Sequence, residues 1–265
     1  MNFVRTLLAG TAIALSSAAA HASSSAWHTV EGAGIRLVTS GAPDEQGLIR
    51  GALEVRLEPG WKTYWRDPGD SGVPPTLDIG SGTTAQIMDI GFPAPKRFDD
   101  GYALWAGYDE PVSLAVTLRV GGEDGPLEAS AFLGVCETIC IPVQAKLTID
   151  PTSEPGNPEH AAVVAAAFAA IPKPAEPDFG ARLTGAKNAA LAIEAEVPEG
   201  VEVVDIFVAG TRALALGTPE QSRKGDGRSY TVPIIDRTPG EDEHAPIPYT
   251  LVTTEGAVSG TLTLP

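Results

Sequence analysis

Cysteine is scarce in this chain: 265 residues contain two, Cys136 and Cys140. That is too few for a small scaffold built on disulfides. Positive charge is also short. Lys and Arg total 18 against 34 Asp and Glu, a formal charge of −16. Such a surface repels phosphate backbones and argues against nucleic acid as a partner; the acidity is read as a solubility feature. Aromatics make up 6%. No stretch beyond the N-terminus approaches the roughly 18 apolar residues of a spanning helix. Gly-x-Ser-x-Gly, His-Glu-x-x-His and phosphate-cradling glycine loops are absent, which removes the usual hydrolase, metalloprotease and nucleotide readings. Asp99 and Asp100 are adjacent acids of the solvated kind rather than a hydrolytic pair.

What is present is turn-forming residue, 29 Gly and 23 Pro, distributed among short alternating runs. Residues 1–22 read as a secretory signal. Arg5 is its positive start, residues 7–15 its apolar run, and Ala20-His21-Ala22 a small-x-small cleavage site that leaves Ser23 first. The mature protein is therefore expected to be exported and soluble.

From Trp27 to Asp150 strand follows strand. Residues 48–57, 112–120, 127–135 and 143–149 alternate with period two, and Pro59-Gly60 and residues 121–125 mark turns. This spacing predicts a β-sandwich over residues 23–150. Two stretches, 61–72 and 92–102, are expected as aromatic-rich loops. Their aromatics either plug one end of the sandwich or, with Trp61 and Tyr64 among them, wall the cysteines. Residues 151–177 are expected to be a linker with one helix, capped by Asn157, begun by Pro158, rich in alanine and stopped by Pro172. Pro172, Pro174 and Pro177 then form a stiff spacer. Residues 178–265 give further candidate strands at 190–197, 203–208, 229–235, 249–253 and 256–265, a second, smaller β domain without cysteine. It is expected to serve as a support or docking module.

The cysteines are separated by Glu137-Thr138-Ile139. Were the segment extended, their Cα atoms would lie roughly 13 Å apart at about 3.3 Å per residue, beyond the roughly 4.4–6.8 Å of a disulfide. A three-residue hairpin loop would instead make them a cross-strand pair within reach, and one helical turn would also serve. Parity places both on the faces of their strands opposite Leu133 and Val143, leaning away from the core. Closing so short a loop yields only about 2 kcal/mol of chain entropy, a weak staple. That favours a redox-active pair, with a structural bond and a metal site as the alternatives. His28, His160 and His244 are scattered, and two thiolates fall short of the four ligands of a structural zinc.

Three segments taken together resemble a known family: Gly60-Trp61-Lys62-Thr63-Tyr64-Trp65-Arg66-Asp67-Pro68-Gly69-Asp70-Ser71-Gly72, then Pro93-Ala94-Pro95-Lys96-Arg97-Phe98, then Gly134-Val135-Cys136-x-x-x-Cys140-Ile141-Pro142. They are similar to the N-terminal periplasmic domain of thiol:disulfide interchange proteins of the DsbD and ScsB type, over about residues 27–150. The helix and second β domain resemble, more faintly, the extended periplasmic region of ScsB-like members. The resemblance implies an all-β, immunoglobulin-like sandwich with the cysteines on neighbouring antiparallel strands, in the periplasm. It implies that the reduced pair passes electrons to oxidised periplasmic proteins, with Cys140 attacking and Cys136 resolving the mixed disulfide. It implies a capping loop over the pair, where Asp99, Asp100 and Tyr102 fall; Gly101 aligns with the family's capping phenylalanine, so the cap is either Tyr102 or looser. No cofactor is implied. Family members continue into a transmembrane electron carrier that this sequence does not include, so a separate membrane-embedded electron donor is expected. Copper chaperones with a Cys-x-x-x-Cys-Pro motif are similar locally but have a thioredoxin-like α/β fold, whose βαβ rhythm is missing here. The competing reading is a non-catalytic copper-binding or protein-docking module with a structural disulfide.

Overall fold

The computed structural model describes residues 23–69, 71–99, 101, 103–121, 125–187, 189–222 and 227–264. The expected signal at 1–22 lies outside them, as do Asp100 and Tyr102.

The chain is mostly β, with one helix among the described residues. Its first part forms β1 (His28–Val30), β2 (Ala33–Ser40), β3 (Leu48–Leu57), β4 (Lys62–Gly69), β5 (Thr76–Ile79), β6 (Gln86–Gly91), β7 (Lys96–Asp99), β8 (Leu104–Tyr108), β9 (Val112–Arg119), β10 (Leu127–Cys136) and β11 (Cys140–Ile149). They build two antiparallel sheets, ordered β1-β2-β3-β9-β6 and β11-β10-β4-β8-β7, with β5 beside β10. Period-two alternation decides which face each strand buries. In β10 Leu127, Ala129, Ala131, Leu133 and Val135 are buried, while Glu128 and Phe132 are exposed. These side chains meet Leu37, Leu53, Leu114 and Leu118 of the other sheet in one apolar cluster.

Two stretches expected as loops are strands. β4 occupies most of 61–72 and pairs with β10 and β8; β7 lies within 92–102 and pairs with β8. Proline and glycine hid them. Pro68 lacks an N–H for the ladder, and the β4–β8 register shifts between Tyr64 and Gly69 to bypass it.

After β11 comes α1 (Pro158–Ala169). Asn157 caps it as expected: its side chain accepts from the backbone N–H of Glu159 and His160. The helix is packed rather than free. Val164 and Ala167 bury against Val38, Ala52 and Ala115 on the outer face of the first sheet. His160 Nδ1 lies 2.6 Å from Ser23 Oγ in a buried contact. No helix of the described residues is long and apolar enough to cross a membrane.

The remaining strands are β12 (Lys173–Pro174), β13 (Gly180–Lys187), β14 (Ala190–Glu196), β15 (Val203–Val208), β16 (Leu214–Leu216), β17 (Glu220–Gln221), β18 (Ser229–Arg237), β19 (Ile247–Thr253) and β20 (Gly256–Leu262). They form sheets ordered β12-β20-β19-β15 and β13-β14-β18-β16, with β17 beside β18. Leu191, Ile193 and Val232 of one meet Ile206, Leu251 and Val258 of the other in a second cluster. The expected proline spacer is partly strand: Lys173–Pro174 runs parallel to β20, and Ala175 N–H donates to Ser259 O at 2.8 Å. Phe207 and Ala209 contribute not to this cluster but to the first. The two halves of the chain thus share apolar contacts.

Candidate functional site

β10 and β11 form a hairpin whose loop is Glu137-Thr138-Ile139. Its last pair before the loop is Cys136 opposite Cys140, with Cα atoms 4.2 Å apart and the sulfurs bonded. The sequence leaves hairpin and helical turn open; the ten-residue antiparallel register from Leu127–Ile149 to Cys136–Cys140 selects the hairpin.

The two sulfurs have different surroundings. Cys136 is 6% exposed, in a small cluster with Tyr64 and Trp105 against which Phe98 packs. Cys140 is exposed. Both side chains avoid the main core, as parity requires, but an aromatic wall covers Cys136 and leaves Cys140 open. Ile139, at the hairpin tip, is 75% exposed.

Tyr64 organises this wall. It lies on β4 beside β10, one residue after Thr63, which is paired with Val135. Its hydroxyl is 2.8 Å from Cys136 Sγ and 3.0 Å from Cys140 Sγ. Disulfide sulfurs carry no proton, so the hydroxyl is the donor. Its ring is 3% exposed and passes between two glycines. A Cβ at Gly72 would fall 2.4 Å from Tyr64 Cε1, and one at Gly134 2.8 Å from Cε2. Gly72 also has φ +124°, a backbone that side chains disfavour. Trp105 meets Tyr64 edge-on at 5.2 Å, and Phe98 stacks on Trp105 at 4.3 Å. Phe98, Trp105, Tyr64 and the disulfide make a continuous row.

These groups border an open cleft of about 430 Å³. Its rim carries Lys62, directly opposite Cys136 on β4, with Asp99 and Glu137. The Asp99 carboxylate accepts from Gly101 N–H at 2.8 Å. Among the described residues no group of three or more His, Cys, Asp or Glu side chains is placed to hold a metal ion.

Of the residues singled out from the sequence, Cys136, Cys140, Tyr64 and Asp99 come together here. Asp100 and Tyr102 lie outside the described residues. Trp61 goes elsewhere: it is buried in the main core with its ring over Gly32, where a Cβ would sit 1.9 Å from Cδ2. One step along a strand reverses a side chain's face, so Trp61 and Tyr64 do not share a wall. Sequence reasoning did not single out Trp105 or Lys62, and placed Phe98 only within the aromatic-rich stretch 92–102. The apolar run 104–108 between Gly101 and Pro111 marks β8, and Trp105 is its large aromatic; that was the available signal.

Residues 38–151 match the family Thiol:disulfide interchange protein DsbD, N-terminal. The DsbD N-terminal match contains both cysteines, Tyr64, Phe98 and Trp105, and agrees with the resemblance carried by the three motifs. With the bonded Cys136–Cys140 pair it supports thiol–disulfide exchange as the chemistry of the site. The crystal structure of the N-terminal periplasmic domain of ScsB from Proteus mirabilis aligns with a TM-score of 0.73 at 23% identity, covering 92% of this chain and 100% of that one. That likeness extends the shared fold through α1 and the second pair of sheets. The reduced DsbD N-terminal domain of Neisseria meningitidis aligns at 13% identity and a TM-score of 0.31, over 43% of this chain and 84% of that one. No curated protein matches the chain in sequence.

Proposed function

We propose that this protein is a periplasmic thiol–disulfide exchange protein that passes electrons to oxidised proteins through Cys136 and Cys140. The observation that carries the reading is the unequal exposure of the two sulfurs: Cys140 is open at the hairpin, Cys136 buried under Tyr64 and Trp105. In the reduced protein the Cys140 thiolate attacks one sulfur of a substrate disulfide. One S–S bond forms, the substrate's breaks, and a substrate thiolate leaves. The Cys136 thiolate then attacks Cys140 Sγ, restores the intramolecular bond and releases the second substrate thiolate. The substrate gains two electrons; the pair loses them and returns to the dithiol through a separate dithiol donor, read here as membrane-embedded.

The site suits these steps. Tyr64 O–H, already within 3.0 Å of both sulfurs, donates a charge-assisted bond to whichever becomes thiolate. Lys62 on the rim adds a cation, which favours the thiolate. Asp99 belongs to the shielding edge. The reading extends to architecture: residues 23–150 act as an immunoglobulin-like redox domain, 151–177 as a connector, and 178–265 as a second β domain, after export directed by residues 1–22. It draws support from the DsbD N-terminal match and the likeness to a periplasmic ScsB domain.

The test is a trapping experiment. Purified Cys136→Ala, reduced and mixed with a disulfide-bonded protein substrate, should accumulate a mixed disulfide through Cys140. Cys140→Ala should accumulate none. Equal trapping by both variants would overturn the assignment of roles.

A further inference from the structure

The wall beside the disulfide is held from behind by the second half of the chain. β7 is a four-residue strand at the end of its sheet, paired only with β8 among the described residues. Alternate residues of β7 face opposite ways. Phe98 stacks on Trp105 at the disulfide; its neighbour Arg97 reaches the other way. Arg97 Nε and Nη2 donate to Asp205 Oδ2 and Oδ1 at 2.8 and 2.9 Å, and Nη2 also donates to Ile206 O at 2.9 Å. Its guanidinium lies 4.6 Å from the Phe207 ring centroid.

β4 repeats the arrangement. Tyr64 meets the sulfurs, while Trp65 meets Phe207 edge-on at 5.8 Å and Asp67 Oδ2 accepts from Gly210 N–H at 2.6 Å. A small pocket of about 20 Å³ lies where these strands meet β15. The Arg97 and Asp205 side chains are 21% and 24% exposed, a setting where a forked arginine–carboxylate pair constrains geometry better than a surface ion pair.

We infer that Arg97 is a positioning residue for the disulfide site: clamped by Asp205, it fixes β7 so that the row Phe98–Trp105–Tyr64 keeps the Tyr64 hydroxyl on the sulfurs. This rests on the exchange reading above and assigns the second half of the chain a part in it, tuning the pair rather than contacting the substrate. Loosening the clamp lets Phe98 and Trp105 shift and weakens the Tyr64 bond to the thiolate. The reduced form loses stabilisation, and the pair becomes harder to reduce.

The experiment uses the full chain and glutathione as the redox probe. Equilibrium constants against reduced and oxidised glutathione are measured for wild type, Asp205→Asn, Arg97→Lys, Tyr64→Phe and Tyr64→Phe/Asp205→Asn, with thermal melts alongside. Asp205→Asn keeps the shape of the site, and Arg97→Lys keeps the charge but loses the fork, so either serves if the other fails to melt cooperatively. The inference expects both single variants to shift the equilibrium toward the disulfide by about threefold to tenfold, tenfold being about 30 mV. The double variant should shift no further than Tyr64→Phe alone. Lowered melting with an unchanged equilibrium, or full additivity with Tyr64→Phe, overturns it. A wild-type pair that glutathione does not open overturns the exchange reading instead, so the two failures are distinguishable.

Discussion

The Tyr64 hydroxyl lies 2.8 Å from Cys136 Sγ and 3.0 Å from Cys140 Sγ, so one buried donor serves both ends of the redox bond. A hydroxyl gains little from a neutral disulfide sulfur, a weak acceptor. It gains more from a thiolate, because hydrogen bonds to ions are the strong ones. The contact therefore discriminates between the oxidised and reduced states.

Removing that hydroxyl tests the point. Hydrogen bonds to charged groups contribute about 1.5–3 kcal/mol, and roughly half of that should survive as water enters the cleft. Tyr64→Phe should then raise the thiol pKa, read from thiolate absorbance against pH, and slow attack on a disulfide substrate near neutral pH by about threefold to tenfold, with the fold retained. An unchanged titration would remove Tyr64 from the chemistry.

The ring's position depends on missing side chains. Gly134 lies two residues before Cys136 on the same face of β10, and a Cβ there would fall 2.8 Å from the Tyr64 ring. Gly134→Ala should destabilise the protein by about 1–3 kcal/mol, the usual cost of overpacking. It should also displace the hydroxyl, so a lower denaturation midpoint should accompany a changed thiol pKa. A neutral substitution by both measures would show that the ring moves freely.

The two cysteines should differ sharply toward alkylating reagents in the reduced protein. Cys140 is exposed and Cys136 is 6% exposed. Iodoacetamide under native conditions should modify Cys140 first, by an order of magnitude or more in rate. Equal rates by mass spectrometry would contradict the arrangement on which the assignment of attacking and resolving sulfurs rests.

Alkaline stability should follow Tyr108. Burial raises its phenol well above the usual 10.0, against the opposing pull of the Arg66 charge, and its O–H donates to Pro93 O at 2.9 Å. In the unfolded chain the phenol ionises near pH 10; in the folded chain it keeps its proton. Its contribution is fully present below pH 10 and falls as pH rises from there toward the folded value. Denaturation midpoints should therefore drop above pH 10, and Tyr108→Phe should flatten that limb. Tyr230 and Tyr249, raised by partial burial, leave a residual slope.

Much of the site was legible because its two strands alternate cleanly. β10 and β11 follow from period-two runs that flank Glu137-Thr138-Ile139, and parity alone turns both cysteines from the main core. The helix was equally plain, with Asn157, Pro158 and the alanines in their expected places. What the sequence left open was the make-up of the neighbouring wall. β4 carries Pro68 and Gly69, which mimic a loop, and its partners β8 and β10 lie far along the chain; β7 is only four residues long and is flanked by Pro95 and Gly101. Parity separates Trp61 from Tyr64, but nothing local says which of the two goes over Gly32 and which reaches the sulfurs. The Arg97–Asp205 pair spans 108 positions, a separation that pattern reading cannot bridge.

The measurement that bears most directly on the central claim is the reduction potential of the Cys136–Cys140 pair in the full chain, by thiol trapping across a dithiothreitol or glutathione series. The account predicts a midpoint between about −180 and −270 mV, the range of exchange proteins. A midpoint below about −300 mV would mark a structural bond that glutathione never opens and would contradict it.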